Sequence, residues 1–194
     1  MSTSPDHVKT LLGGACDEWL SLAEQCRKLA GPLREAAALM ASTWEQGGKL
    51  IICGNGGSCA DAMHFAEELV ARFQKNRRAL AAIALADPTV MTCIGNDFGY
   101  DSLFSRQVEA LGRPEDLLVL LSTSGNSANC VAALDVARER KMKTMSFLGK
   151  SGGALKGQCD VELHVPAETA HRVQEGHKLL FHTLCEWADA WAGA

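Results

Sequence analysis

Three parts of this sequence contain residue types that are common in ligand-binding and catalytic sites. Residues 53–58 read CGNGGS, residues 122–127 read STSGNS, and His64 lies four positions before Glu68. Glycines let the backbone approach a ligand closely, and hydroxyl and amide side chains can bond to a phosphate. An imidazole beside a carboxylate can hold a divalent metal ion or transfer a proton. Together these residues suit a phosphorylated small molecule held beside a metal or acid–base centre.

Residues 53–58 and 122–127 have the position and composition of phosphate-binding loops. Each segment follows an apolar run and precedes a helical pattern, and in α/β folds ligands bind where strands end and helices begin. Neither segment matches the G-x-x-x-x-G-K-[ST] loop of nucleoside triphosphate sites or the G-x-G-x-x-G turn of dinucleotide sites. Either segment alone is also typical of a turn with a helix cap. Two of them on one sheet favour a small phosphorylated metabolite.

The histidine–glutamate pair has three open interpretations. Four-residue spacing places His64 and Glu68 on one helix face, where they could form a metal site, an acid–base pair or a surface ion pair. The C-terminal segment adds Gln174, His177 and His182 to an otherwise apolar helical pattern. These three are candidates for the same site. The alternative is two ordinary helix histidines, one exposed and one partly buried.

A further polar segment, residues 94–100 (IGNDFGY), contains Asn96 and Asp97. Their side chains can bond to sugar hydroxyls, yet Asn and Asp beside glycine are also ordinary turn residues. By itself this segment therefore decides nothing about function.

The alternation of apolar runs and helical patterns predicts the elements that position these groups. Strands are predicted at 49–53, 80–86, 116–122, 143–149 and 160–165, and helices at 6–29, 32–46, 58–73, 102–112, 127–141 and 170–192. The first four runs are too continuously apolar for half-exposed strands and are typical of strands covered on both faces, whereas the fifth alternates like an edge strand. We therefore expect one α/β domain over residues 1–194, with a helix pair at about 6–46 before a mostly parallel sheet core at about 49–194.

The first predicted helix has one apolar stripe, which is expected to be buried. Its members recur at three- and four-residue spacing; they are Val8, Leu11, Leu12, Cys16, Trp19, Leu20, Ala23 and Cys26. Because the two N-terminal helices precede the sheet, one or both have an apolar face that can pack on another subunit.

Composition limits the class of protein. The chain has 194 residues, 47% of them hydrophobic, and a formal net charge of −4, which is typical of a globular domain and gives no positive field for nucleic acid or anionic membrane. It has no apolar run of 18 residues and no N-terminal secretion pattern, so we expect a cytoplasmic protein. The eight cysteines are scattered without a C-x-x-C pair, so we expect reduced thiols that bind no metal.

Four motifs, in this order, resemble those of the sugar isomerase (SIS) domain family and, within it, of the phosphoheptose isomerases. They are CGNGGS at 53–58, DAMHFAEEL at 61–69, IGNDFGYDSLFSRQVEALGRPEDLLVLLSTSGNS at 94–127 and VQEGH at 173–177. The resemblance implies a flavodoxin-like three-layer α/β sandwich with a five-stranded sheet. It also implies an aldose–ketose isomerase that converts sedoheptulose 7-phosphate to D-glycero-D-manno-heptose 7-phosphate through an enediol(ate), in heptose and lipopolysaccharide biosynthesis.

The resemblance further implies a cytoplasmic homotetramer with active sites at subunit interfaces and one zinc ion per subunit, Zn²⁺ being bound by His64, Glu68, Gln174 and His182. Glu68 is the candidate base and His182 the partner acid, and Arg72 lies where family members reach a neighbouring active site. The implied substrate contacts are Asn55, Gly56, Gly57, Ser58, Glu68, Arg72, Asn96, Asp97, Ser122, Thr123, Ser124, Ser127 and Gln174.

The spacing of two of these ligands sets a geometric condition. Gln174 and His182 are eight positions apart, or about 12 Å along a straight helix. Both reach one metal ion only if the helix start is frayed or bent, or if the two come from different chains. His177 is the substitute ligand to check.

Two other functions stay open. One is a non-catalytic SIS protein that binds a sugar phosphate and acts on a partner, and the other is an isomerase of a different phosphosugar. A pure binding protein has no need of the set His64, Glu68 and His182. The loops, in turn, recognise phosphate and hydroxyl groups rather than the number of carbons.

Overall fold

The computed structural model describes residues 4–193, and its centre is a five-stranded sheet. The strands are β1 (Leu50–Gly54), β2 (Ala82–Ala84), β3 (Leu117–Ser122), β4 (Lys143–Leu148) and β5 (Val161–His164). They lie in the order β2-β1-β3-β4-β5, and every pair is parallel. This confirms the predicted parallel sheet with β5 at an edge. The expectation that β2 is covered on both faces is wrong, because β2 forms the other edge and Ile83 is 40% exposed.

Seven α-helices surround the sheet in the described part of the chain. They are α1 (His7–Cys26), α2 (Ala30–Glu45), α3 (Gly57–Val70), α4 (Pro88–Phe98), α5 (Ser105–Leu111), α6 (Ala128–Glu139) and α7 (Ala170–Ala192). Ile52 packs in a core with α2, α3 and α7, and its neighbour Ile51 packs in a second core with α4, α5 and α6. Successive strand side chains point to opposite faces. The apolar runs are continuous because both faces are covered, which gives three layers.

Helix α4 was missed in the sequence, where residues 94–100 suggested a turn. The Asp87 side chain accepts a hydrogen bond from the backbone N–H of Val90, and Pro88 occupies the first turn. These are strong helix-start signals. Gly99 ends the helix with φ 86°, so Asn96 and Asp97 lie in its last turn.

The N-terminal region also differs from expectation. Helix α1 ends at Cys26, a 3-10 turn follows, and α2 begins at Ala30, so Gly31 lies within α2 instead of ending the first helix. Most of the apolar stripe of α1 is not buried within the chain: Leu12 and Leu20 are 63% and 64% exposed. This agrees with the expectation that an N-terminal helix has an apolar face free to pack on another subunit.

None of the helices in residues 4–193 is both long enough and apolar enough to span a membrane. The cysteines are all free, as expected.

Candidate active site

The two polar loops lie side by side at the carboxyl ends of two neighbouring strands. Strands β1 and β3 are neighbours, with Gly54 opposite Leu121, although β2 separates them in sequence. Residues 53–58, the first loop, lead from β1 into α3, which covers one face of the sheet. Residues 122–127, the second loop, lead from β3 into α6, which covers the other face. The crevice between such diverging connections is where ligands bind in this type of sheet.

Side-chain hydrogen bonds join the first loop to the start of α6, directly after the second loop. Nδ2 of Asn55 donates to Oδ1 of Asn129, and Nδ2 of Asn129 donates to Oδ1 of Asn55, both at 2.9 Å. The Tyr100 hydroxyl donates to the same Asn55 oxygen at 2.9 Å. Asn129 and Tyr100 were not identified from the sequence as site residues, although Asn129 lies two positions after the second loop.

The second loop is held by its own hydroxyl groups. Ser122 Oγ accepts from the backbone N–H of Gly125 at 3.1 Å and lies 3.3 Å from Ser127 Oγ. Gly125 has φ 65°, and a Cβ at this position would collide with the carbonyl of Gly152, so glycine is required here. Ser127 precedes α6, so the loop presents hydroxyls at the positive end of a helix dipole.

The first loop is packed against α7. Gly56 has φ 55°, and a Cβ on Gly57 would overlap the side-chain amide of Gln174. A cavity of about 380 Å³ is lined here by Gly57, Asp61, Gln174 and Lys178, among others. Gln174 therefore lies beside the first loop of its own chain.

Helices α3 and α7 run side by side away from this cavity. Lys178 Nζ lies 3.2 Å from Asp61 Oδ1, one helical turn beyond the contact of Gly57 with Gln174. The next turn brings His64 on α3 to His182 on α7, with ring centroids 5.0 Å apart. A row of polar side chains thus follows the two helices from the first loop.

His64, Glu68 and His182 form a cluster at the far end of this row. Their ligand atoms all lie within 4.8 Å of one another, and His64 Nε2 lies 3.1 Å from Glu68 Oε1. Burial and the neighbouring His64 lower the pKa of His182, partly opposed by Glu68. The neutral imidazole is the form that binds metals.

An unpaired nitrogen atom in this cluster indicates that the three side chains are suited to bind a zinc ion. His182 Nε2 is buried and has no hydrogen-bond partner among the described residues, and a buried polar atom without a partner is unfavourable. Imidazole nitrogen and carboxylate oxygen are the donors that zinc uses. A metal ion bound by the three side chains would satisfy the unpaired atom.

The other two candidate ligands lie elsewhere in the single chain. Helix α7 is continuous from Ala170 to Ala192, so Gln174 stays about 12 Å along the helix from His182. His177 is fully buried, its Nε2 lies 3.0 Å from the Leu148 carbonyl, and burial lowers its pKa to about 4. It lies outside the cluster, so the single chain does not bring His177 to the other candidate ligands. The interpretation of one exposed and one partly buried histidine is wrong for His177, while His182 is half-buried.

Three further candidate residues lie at the surface of the single chain. Arg72 is exposed and donates to Asn76 Oδ1 at 3.2 Å. Asn96 and Asp97 are exposed on α4, where Asn96 Nδ2 donates to Asp97 Oδ1 at 2.7 Å. The single chain brings the two loops together and assembles the histidine cluster about two helical turns along α3 from the first loop, and it leaves these three side chains exposed.

Comparison with known proteins gives consistent matches. The SIS domain family matches residues 16–149 of this chain. The phosphoheptose isomerase of Enterobacter sp. (strain 638) is 51% identical over 155 residues, which cover 79% of this chain and 81% of that protein. The phosphoheptose isomerase of Aliarcobacter butzleri (strain RM4018) is 46% identical over 170 residues, which cover 87% of this chain and 90% of that protein.

Two solved structures are similar to this chain over most of its length. A phosphoheptose isomerase from Neisseria gonorrhoeae superimposes with a TM-score of 0.87 at 42% identity, covering 94% of this chain and 99% of that chain. One from Francisella tularensis gives a TM-score of 0.90 at 34% identity, covering 94% of this chain and 98% of that chain.

Proposed function

The chain belongs to the SIS domain family, and on that premise we propose that it is a phosphoheptose isomerase, interconverting sedoheptulose 7-phosphate and D-glycero-D-manno-heptose 7-phosphate. The observation that carries this proposal is the arrangement of two adjacent loops, the first of them at the start of α3, and the cluster of His64, Glu68 and His182 about two turns along that helix. A phosphate-binding end and a proton-transfer end are what isomerisation of a phosphosugar requires.

The length of the substrate supports this arrangement. His64 is seven positions beyond Gly57 on α3, or about 10 Å along the helix. In a heptose 7-phosphate, the phosphate and the carbonyl carbons lie at opposite ends of a seven-carbon chain. Loops that hold the phosphate would therefore leave C1 and C2 near the cluster, and binding energy at the phosphate would orient the reacting carbons.

The loops and their neighbours supply the substrate contacts that we assign. The hydroxyls of the second loop and the helix start behind it suit a phosphate dianion, and the remaining polar groups suit sugar hydroxyls. The assigned residues are Asn55, Gly56, Gly57, Ser58, Glu68, Arg72, Asn96, Asp97, Ser122, Thr123, Ser124, Ser127 and Gln174.

The reaction moves one carbon-bound proton. Glu68 removes the proton from C1 of the ketose, the electron pair forms the enediol(ate) double bond between C1 and C2, and a proton is then delivered to C2 while the O1 proton passes to O2. We assign Glu68 as the base and His182 as the partner acid. A carboxylate has two oxygens. Glu68 can therefore contact His64 Nε2 through Oε1, at 3.1 Å, while Oε2 accepts the proton from C1.

We further propose that Zn²⁺ binds to His64, Glu68, His182 and Gln174, one ion per subunit. A bound zinc ion polarises a carbonyl as a Lewis acid and stabilises negative charge on its oxygen, an effect of several kcal/mol. Because Gln174 lies about two helical turns from His182 on a continuous α7, the fourth ligand is most simply supplied by a neighbouring chain.

The surface of α1 bears on how copies of this chain assemble. We propose a homotetramer whose active sites lie at subunit interfaces, with Arg72 reaching a neighbouring site. The exposed apolar residues of α1, such as Leu12 and Leu20, support a surface that packs on another copy. We place the protein in the cytoplasm, in heptose biosynthesis leading to lipopolysaccharide.

One assay tests the proposed function. The zinc-loaded protein is incubated with sedoheptulose 7-phosphate, and the aldose C1 proton is followed by NMR, with D-glycero-D-manno-heptose 7-phosphate detected as the product. Elemental analysis of protein purified without chelator should give about one zinc per chain. No turnover despite phosphosugar binding would favour the non-catalytic alternative, and turnover only of another phosphosugar would favour a different isomerase.

A further inference from the structure

A buried ion pair holds the segment that follows α3. Arg77 Nε donates to Asp189 Oδ1 at 3.0 Å, and the side chains are 1% and 4% exposed. Two other guanidinium nitrogens also have acceptors: Nη2 donates to the Glu68 backbone carbonyl at 2.7 Å, and Nη1 to the carbonyl of Arg78 at 3.1 Å. One guanidinium thus connects α7, the connecting segment and α3.

The carboxylate of Asp189 is equally well satisfied. Its Oδ2 accepts from the backbone N–H groups of Gln74 at 2.7 Å and Lys75 at 3.0 Å. Burial alone would raise the pKa of Asp189, but these two hydrogen bonds and Arg77 outweigh it and lower the pKa. The pair is therefore charged at neutral pH, and Arg77 is held in one orientation.

The acceptor on α3 is the backbone of the candidate base itself. Helix α3 ends at Val70, so the Glu68 carbonyl is among the last four, which lack partners within a helix. The carbonyls of Glu67 and Leu69 accept from Ala71 at 2.8 Å and Leu80 at 3.1 Å. Arg77 supplies the partner for Glu68 and places a positive charge at the negative end of the helix dipole.

The other end of the bridge lies on the helix that carries His182. Asp189 is seven positions beyond His182 on continuous α7, or about 10 Å. The path from Glu68 through Arg77 to Asp189 therefore connects the last turn of α3 to α7. The spacing between Glu68 and His182 depends on that last turn staying helical and in place.

We propose that Arg77, held by Asp189, is a positioning residue that sets the distance between Glu68 and His182 and so prepares the cluster for a divalent metal and for proton transfer. The role of the cluster in metal binding and proton transfer rests on the proposed function. The positioning of Glu68 rests on the hydrogen bonds of Arg77 to Asp189 and to the Glu68 carbonyl. Groups that orient metal ligands in this way typically change metal affinity by about 10- to 100-fold when removed.

A purely structural role is the competing explanation, and it makes a different prediction. Replacing a buried ion pair by apolar residues of similar size is often neutral for stability, whereas removing one partner is strongly destabilising. The double variant R77M/D189L therefore restores packing but leaves the Glu68 carbonyl without its donor and the backbone N–H groups of Gln74 and Lys75 without their acceptor. R77K is the milder variant, because a lysine can pair with Asp189 but lacks the forked donors that also reach Glu68.

The experiment compares wild type, R77M/D189L, R77K and a control, K49M. The control removes the ion pair between Lys49 and Asp116, whose side-chain atoms Nζ and Oδ2 are 2.6 Å apart and which lies just before strands β1 and β3. Zinc affinity is measured by competition with a chromophoric chelator, kcat and KM by the NMR assay, and amide hydrogen exchange of residues 67–72 in the metal-free protein.

R77M/D189L should bind zinc about tenfold or more weakly, lose kcat with KM little changed, and exchange faster at residues 67–72. R77K should fall between it and wild type, and K49M should change none of these properties. Unchanged zinc affinity and unchanged exchange in R77M/D189L would overturn the inference. A wild-type protein that binds no zinc or does not isomerise would instead contradict the proposed function, and the hydrogen-exchange comparison would still decide the role of Arg77.

Discussion

The side-chain amides of Asn55 and Asn129 donate hydrogen bonds to each other's carbonyl oxygens, both at 2.9 Å. Asn55 lies in the first loop and Asn129 in the first turn of α6, behind the second loop. The pair therefore fixes the separation of two loops that reach opposite faces of the sheet. A phosphosugar bound between them meets a preformed site.

Replacing Asn129 by alanine should weaken both the fold and substrate binding. The substitution leaves Nδ2 of the half-buried Asn55 without its acceptor, at a cost of about 1 to 3 kcal/mol in the free energy of unfolding. Urea unfolding and KM for the phosphosugar would measure the two effects. Y100F, which removes only the exposed hydroxyl that donates to Asn55, is the control; equal losses in the two variants would contradict the role of the amide pair.

Ser124→Ala combined with Ser127→Ala should raise KM for the phosphosugar at least tenfold, because hydrogen bonds to a charged group contribute about 1.5 to 3 kcal/mol each. The isomerisation rate at saturating substrate should fall much less. Steady-state kinetics would measure both quantities. Ser42→Ala on α2, where the hydroxyl accepts from Gln46, is the matched control, and an unchanged KM in the double variant would exclude phosphate capture by the second loop.

Glu68→Gln should fold and assemble as the wild type does but lose turnover by about 100- to 10,000-fold, since the amide cannot accept the proton. The neighbouring Glu67, exposed on α3, provides the control, because Glu67→Gln removes the same charge one residue away. Turnover retained in Glu68→Gln would assign the base elsewhere.

His177 should make the protein less stable in mild acid. Its pKa is lowered to about 4 by burial, assisted by His164 and opposed by the hydrogen bond to the Leu148 carbonyl. The unfolded chain takes up a proton near pH 6.5 while the folded chain does not, so the free energy of unfolding falls by about 2 to 3 kcal/mol between pH 7.5 and 4.5. Above pH 7 this contribution is fully present.

Urea unfolding at both pH values would measure this loss, with His177→Gln as the comparison. The glutamine does not titrate, so the variant should lack that part of the pH dependence even if it is less stable throughout. The same slope in both proteins would contradict a neutral buried His177.

Leu12→Lys combined with Leu20→Lys should dissociate the proposed homotetramer. The two side chains are 63% and 64% exposed in the single chain, so the charges disturb a monomer little and an interface strongly. Light scattering after size exclusion would report the mass in multiples of 20.7 kDa. Leu111→Lys, at a position 40% exposed on α5, is the control, and an unchanged mass in the double variant would place the interface elsewhere.

Local patterns were enough to predict the sheet and both loops. Residues 50–53 and 117–121 are apolar throughout because each strand is covered on both faces, and the glycine and serine residues after them form the connections. Helix α4 was missed because glycine and Asn–Asp suggested a turn, although Asp87 and Pro88 form a recognisable helix start.

The packing of α3 and its following segment against α7 could not be predicted from local sequence patterns. Asp61 and Lys178, or Arg77 and Asp189, are more than a hundred residues apart in sequence, and each pair meets only once both helices pack on the sheet. Which of His177 and His182 is buried depends on the rotation of α7 against the sheet. Residue types on one helix do not determine that rotation.

Helix α7 also comes after all five strands in the order of synthesis. A growing polypeptide contains both polar loops before it contains His182 or Asp189, but a domain folds as a unit. The first loop therefore reaches its final packing, against Gln174, only when the last helix has been made.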